Sequence, residues 1–166
     1  QNCPEAHIKV AGISVLGVNG IKSRIKIPAY GKYLRRLILK NRLEGKVRVL
    51  GNLSAEEMKR EYLSAQIFVC PSAVENSPNS VAEGQLLGVP VAASRTGGIP
   101  DVVKDGVSGL LFEKGNVHEL AACVSRILTD KQLAKELSAS ERETAAKLYN
   151  GENNYQKLIE IYQSIE

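Results

Sequence analysis

Glu75 and Glu83 stand with seven residues between them in PSAVENSPNSVAEG (71–84), and a doubled glycine, Gly97-Gly98, follows in SRTGGIPDVV. A carboxylate placed like Glu83 can accept hydrogen bonds from paired hydroxyls such as those of a ribose, as the acidic residue of dinucleotide folds does. Glu75 can address whatever group hangs beyond a phosphate. The residues between them include Asn76, Ser77, Asn79 and Ser80, which are small enough for a phosphate to approach the main chain, and Pro78, which stiffens it. Taken alone, each glutamate also has a plain explanation: Glu75 as a solvated loop acid, and Glu83 as a first-turn helix acid favoured by the dipole. Their setting decides between these readings.

The elements that must position them are legible in the hydrophobic pattern. Short apolar runs rich in branched residues lie at 7–15, 46–51, 66–72, 89–94 and 109–113, alternating with helical stretches. Their near-continuous apolarity predicts strands buried on both faces, and the alternation predicts βαβ units, a doubly wound parallel sheet and one core. The helix over 30–43 puts Leu34, Leu37 and Ile38 on one stripe, and Lys32, Arg35, Arg36, Lys40 and Arg42 cover much of the rest. Ser54 and Glu57 form a capping box for the next helix. A helix from Asn116 turns Leu120, Val124, Ile127 and Leu128 inward, and two more, 131–149 and 152–165, are divided by Asn150-Gly151. Residues 16–30 read as an extended loop or short hairpin.

In an open parallel sheet, ligands bind beyond the carboxyl ends of the strands. The strand at 66–72 ends at about Ser72 and a helix begins near Pro78 to Ser80, so residues 73–79 form a strand-to-helix loop at that edge. A helix start carries four N–H groups without intrahelical partners and the positive end of the dipole, a ready anion site. Thr96-Gly97-Gly98 ends the strand at 89–94 on the same edge, with Pro100 suited to the first turn of a helix. Two adjacent loops therefore converge on one pocket that fits a diphosphate.

Composition narrows the alternatives. The chain has 166 residues, and its three cysteines are widely spaced, with no CxxC pair, which points to neither a disulfide framework nor a zinc site. A cytoplasmic, reducing setting is expected. No apolar run is long enough for a membrane helix, and the opening residues do not resemble a signal peptide. No Asp-x-Asp motif or His/Asp/Glu cluster is present to hold a divalent ion against a diphosphate, so metal-independent chemistry without a cofactor is expected. Residues 1–50 carry eleven Lys/Arg against two Asp/Glu, and the remainder eleven against sixteen. The basic segment suits phosphates or an anionic membrane surface, or is a solvated face. Two Phe and no Trp leave little with which to stack bases, so nucleic acid is not an expected partner. His7 and His118 read as surface or structural residues, and Cys70 as a small buried hydrophobe.

The ordered set PSAVENSPNSVAEG followed by GVPVAASRTGGIPDVVKDGVSGLLF resembles the donor-binding core of the retaining glycosyltransferases of family 4, of the GT-B fold. The resemblance runs from about residue 46 to 130, and more loosely to the end. It implies a Rossmann-like sheet forming one half of a GT-B enzyme that moves a sugar from a nucleotide diphosphate to an acceptor hydroxyl, in glycan or lipid-linked saccharide synthesis. Glu83 then corresponds to the ribose ligand, and Glu75 lies at the donor sugar and diphosphate, as the catalytic residue. The main chain at Asn76, Ser77, Pro78 and Asn79 meets sugar hydroxyls or phosphate. Gly51, Asn52 and Leu53 border the nucleobase, and Gly97 and Gly98 match the loop facing the acceptor domain. Asn76-Ser77 replace the usual Gly-Phe, which leaves the sugar open.

The resemblance also implies parts that this sequence does not show: an N-terminal acceptor domain, and a first donor-domain strand and helix with an Arg and a Lys. PEAHIKVAG is similar to the family's second strand, so the chain reads as a fragment, inactive alone, with Lys22, Arg24 and Lys26 as alternative cations. A missing central strand and an apolar stripe of Tyr155, Leu158, Ile159 and Tyr162 predict self-association of the fragment. Peripheral contact with the inner face of the membrane is a further expectation. The rivals are a sugar-nucleotide epimerase or glycogen-synthase-like enzyme of the same fold and, from another class, a non-catalytic nucleotide-binding module such as a receiver domain, whose acidic cluster is not evident.

Overall fold

The computed structural model describes residues 3–12 and 29–165, which divide into two units on either side of Arg60 and Glu61. The first holds β1 (Ile8–Ala11), α1 (Ala29–Lys40), β2 (Val47–Gly51) and most of α2 (Ala55–Ser64). The second continues from the end of α2 through β3 (Phe68–Cys70), α3 (Asn79–Leu87), β4 (Val91–Ser94), α4 (Ile99–Val102), β5 (Leu110–Phe112), α5 (Val117–Thr129), α6 (Lys131–Leu148) and α7 (Gly151–Gln163). All five strands pair in parallel, in two sheets ordered β1-β2 and β3-β4-β5.

In the first unit, Ile8 pairs with Val47 and Val10 with Val49, and the register shifts before Ala11 meets Gly51. Leu34, Leu37 and Ile38 of α1 are half-buried, and Lys32, Arg35, Arg36, Lys40 and Arg42 are exposed, as the stripe predicts. The expectation of two buried faces fails for β1, where all four residues are exposed, Ile8 at 56%. Parallel strands become buried on both faces only where helices cover both, and the main packing partner of β1 is β2. The expectations for residues 13–28, including Lys22, Arg24 and Lys26, lie outside the described residues.

In the second unit the expectation holds for β4 and β5, while Phe68 and Val69 of β3 are half-buried. Every residue of β4 and β5 is buried. Successive residues of β4 point to opposite faces. Val91 and Ala93 pack with Cys70, Val81, Ile99 and Val103, while Ala92 packs with Leu110, Phe112, Ile127 and Leu137. The predicted single core is thus two clusters divided by a sheet, because each face of the doubly wound layer needs its own helices. Of the residues expected to turn inward on α5, Ile127 is buried and Leu120, Val124 and Leu128 are half-buried.

The capping box predicted at Ser54 is present, and three later helix starts are capped as well. Ser54 N–H and Oγ both donate to Glu57, at 2.8 and 2.7 Å, and Glu57 N–H returns to Ser54 Oγ at 3.3 Å. These bonds hold the Glu57 carboxyl below the usual carboxylate range. Asn116, Asp130 and Asn150 accept first-turn N–H groups of α5, α6 and α7. On α7, Tyr155, Leu158 and Tyr162 are exposed and Ile159 is half-buried. Among the described residues, no helix is long and apolar enough to cross a membrane.

Candidate donor site

The loops after β3 and β4 are stitched together along the sheet edge. Ser94 Oγ donates to the Ser72 carbonyl at 2.6 Å, Thr96 Oγ1 to the Ala73 carbonyl at 3.2 Å, and Gly98 N–H to the Glu75 carbonyl at 3.2 Å. Gly97 has a φ of +51°, and a Cβ there would overlap the carbonyl oxygen of Glu75; one on Gly98 would overlap that of Asn76. The predicted convergence of the two loops is therefore present. The doubled glycine is the floor on which the Glu75 loop rests, a role that follows from backbone-to-backbone approach and leaves no mark in the sequence beyond the glycines.

Pro78 is the buried N-cap of α3, and no side chain caps this start, unlike those of α5, α6 and α7. The start is less open than a bare helix end. Asn79 N–H bonds Ser77 O at 2.9 Å and Val81 N–H bonds Pro78 O at 2.9 Å, so tight turns satisfy two of the donors that an anion would otherwise meet. Asn76, Ser77 and Asn79 are exposed, and Glu75 and Ser80 half-buried. Glu83 is exposed one turn further on, on the same face of the helix as Asn79 and Ser80.

Tyr62 supports the site and was not singled out by the sequence analysis. It is 3% exposed, its hydroxyl donates to Ser80 O at 2.9 Å, and its ring meets Phe68 edge-on with centroids 5.2 Å apart. Burial raises its pKa well above the usual phenol range, and the nearby charge of Glu83 adds to the rise. The available signal was an aromatic residue four positions after Met58 on an otherwise polar helix.

The far end of α3 is held by α6. Gly88 closes α3 in the left-handed conformation, Ser138 Oγ donates to Gly88 O at 2.7 Å, and Arg142 Nη2 donates to Leu87 O at 3.0 Å. Glu141 is fully buried, with Oε1 accepting from Val91 N–H at 2.8 Å and Oε2 without a protein partner. Burial pushes its pKa up to about 8, against the lowering by the Val91 bond. In the sequence it sits four residues from both Leu137 and Ala145, on the stripe that faces the core.

Gly51 ends β2 in the first unit, with Asn52 and Leu53 following it, and Glu75, Glu83, Gly97 and Gly98 belong to the second unit. Gly51 has a φ of +75° and accepts from Gly12 N–H at 2.8 Å. Cys70 is buried, and His118 is exposed, as expected. Among the described residues, no group of three or more His, Cys, Asp or Glu side chains is placed to hold a metal ion.

Comparison with known proteins places this geometry in a family. Residues 3–144 match the family model described as Glycosyl transferases group 1. The chain is 33% identical over 100 residues to the sulfoquinovosyl transferase SQD2 of Arabidopsis thaliana, covering 58% of this chain and 20% of that protein. It is 32% identical over 119 residues to a D-inositol 3-phosphate glycosyltransferase of Corynebacterium urealyticum, covering 72% and 28%. The chain thus spans less than a third of the length of either relative. The fold is shared with Anabaena HepE, crystallised with UDP, at a TM-score of 0.82 and 23% identity, over 97% of this chain and 42% of that one. The expected resemblance is thereby met in both sequence and fold, and the chain belongs to the glycosyl transferases group 1 family, with the α/β fold of GT-B enzymes.

Proposed function

We propose that the chain is the donor-binding part of a retaining glycosyltransferase, which transfers a sugar from a nucleotide diphosphate to an acceptor hydroxyl in glycan or lipid-linked saccharide synthesis. The observation that carries this reading is the Glu75 loop, seated on Gly97 and Gly98 and leading into a helix start that no side chain caps, with Glu83 exposed one turn beyond. Glu83 would hold the ribose hydroxyls, and Glu75 the sugar. The loop main chain from Asn76 to Ser80 and the positive end of α3 would hold the diphosphate. The bond from the anomeric carbon to the diphosphate oxygen breaks as the bond to the acceptor oxygen forms, on the same face of the sugar. The acceptor proton passes to the departing phosphate. Charge growing on that group is stabilised by the fixed dipoles of the α3 start. This reading calls for no metal, and for an N-terminal domain that supplies the acceptor site.

The contrast between the two glutamates tests it in the intact protein. Glu83→Ala is expected to weaken binding of a nucleoside diphosphate, with UDP, GDP and ADP tried in turn by calorimetry, by about 1 to 3 kcal/mol. Glu75→Ala is expected to lower turnover while leaving that affinity nearly intact. Equal loss of nucleotide affinity in both variants would contradict the assigned roles.

The exposed cations Lys32, Arg35, Arg36, Lys40 and Arg42 support a peripheral contact with anionic membrane. Each contributes about 1 kcal/mol near such a surface, and salt screens the attraction. Sedimentation with phosphatidylserine vesicles should pull down the intact protein at low salt and release it at high salt, and Arg35→Glu with Arg36→Glu should abolish it. Retention indifferent to lipid charge would remove the proposal.

A further inference from the structure

Tyr62 lies outside the segment that carries the two glutamates, yet it touches that segment at the turn where the donor is proposed to sit. Its hydroxyl reaches the carbonyl of Ser80 in the first turn of α3, and Ser80 is three residues before Glu83 on the same helix face. The ring cannot swing away. It is buried, set edge-on against Phe68 of β3, and Phe68 in turn packs where α3 carries Gly84; a Cβ at that position would come within 3.3 Å of the Phe68 ring. Aromatic packing on one side and a main-chain carbonyl on the other therefore fix the phenol oxygen against the first turn of α3.

We propose that Tyr62 is a positioning residue for the donor: its hydroxyl, bonded to the Ser80 carbonyl, seats the first turn of α3 and so fixes the backbone from which Glu83 presents its carboxylate to a diol. The phenol has one proton, and it goes to the Ser80 carbonyl. A helix turn held in place keeps the backbone of the side chains it carries fixed, which lowers the entropy lost when a ligand's hydroxyls bind. The inference rests on the donor-binding reading, since it assigns Tyr62 to the same ligand.

The test is a double-mutant cycle on the intact protein, with UDP, GDP and ADP as probes in calorimetry and melting temperature measured alongside. Y62F keeps the ring and its contact with Phe68 and removes only the hydroxyl. Y62F is expected to weaken binding of the recognised nucleotide about fivefold to tenfold, the loss of the one hydrogen bond that holds the first turn of α3. Glu83→Gln is expected to weaken it further, and the double variant to bind no more weakly than Glu83→Gln alone, because Tyr62 acts through Glu83. Unchanged affinity in Y62F, or losses that simply add in the double variant, would overturn the assignment and leave Tyr62 as packing. Y62L guards against a folding artefact: if Y62F binds like the wild type while Y62L loses only melting temperature, the role is structural. Failure of the wild type to bind any of the three nucleotides would instead overturn the donor-binding reading, and the assignment of Tyr62 with it.

Discussion

Gly97→Ala is expected to disable the site and to destabilise the second unit more than any other single glycine substitution at its surface. Two effects combine at this position. The φ of +51° forces an L side chain into the left-handed region, at about 1 to 2 kcal/mol. The new Cβ also occupies the space of the Glu75 carbonyl oxygen. Backbone cannot rotate out of the way as a long side chain can, so the Glu75 loop must shift and lose its bond from Gly98, about 1 kcal/mol more. The combined loss is about 3 to 5 kcal/mol, a large part of the roughly 5 to 15 kcal/mol that stabilises a typical domain. Neighbouring glycines separate the causes. Gly106→Ala, with a φ of +74° and nothing within 4 Å of its Cβ, carries the strain alone. Gly98→Ala, with a φ of −78°, carries the overlap alone, against Asn76 O. Thermal unfolding should rank the wild type above Gly106→Ala and both above Gly97→Ala, with nucleotide binding lost in Gly97→Ala and kept in Gly106→Ala. Equal behaviour of Gly97→Ala and Gly106→Ala would show that the two loops are not seated on each other.

Stability is expected to fall as pH rises from about 5 to 8 and then to level off, with Glu141 as the source. Its carboxyl is fully buried, and its pKa is about 8 against an ordinary 4.5, so between these values the folded chain holds a proton that the unfolded chain releases. Unfolding is then favoured by rising pH, the reverse of a salt-bridged carboxylate, whose contribution disappears in acid. The stabilisation is present in full below the unfolded pKa and is lost as pH rises through the folded one. At about 1.4 kcal/mol for each unit of difference, the swing is on the order of 3 to 5 kcal/mol. Glu57 and Glu143, both held below the usual range, act in the opposite sense, and only in acid. Glu141→Gln keeps an oxygen for the Val91 N–H and removes the proton equilibrium. Chemical denaturation at pH 5, 6.5 and 8 should show a declining stability in the wild type and a flat one in Glu141→Gln. A decline of the same size in Glu141→Gln would assign the effect elsewhere. The consequence reaches the site, because α6 also holds the C-terminal carbonyls of α3 through Ser138 and Arg142.

Local chemistry by itself determined most of the elements. The box of Ser54 and Glu57, the helix start at Asn116, the break at Asn150-Gly151, and the near-continuous apolar runs of β4 and β5 were readable because each depends on neighbours within a few residues in the chain. The position of Glu75 in a strand-to-helix loop and of Glu83 inside the following helix was readable for the same reason. Tertiary structure decided what those residues rest on. The contact of Gly97 with the Glu75 carbonyl joins positions 22 residues apart, Tyr62 reaches Ser80 across 18, and Glu141 reaches Val91 across 50. None of these pairings has a sequence period, since they arise where separate elements meet, and hydrogen bonds to main-chain atoms place no demand on the side chain of the partner. The exposure of β1 was hidden likewise, because an apolar strand reports what it can bury, whereas the helices packed around it decide what it does bury.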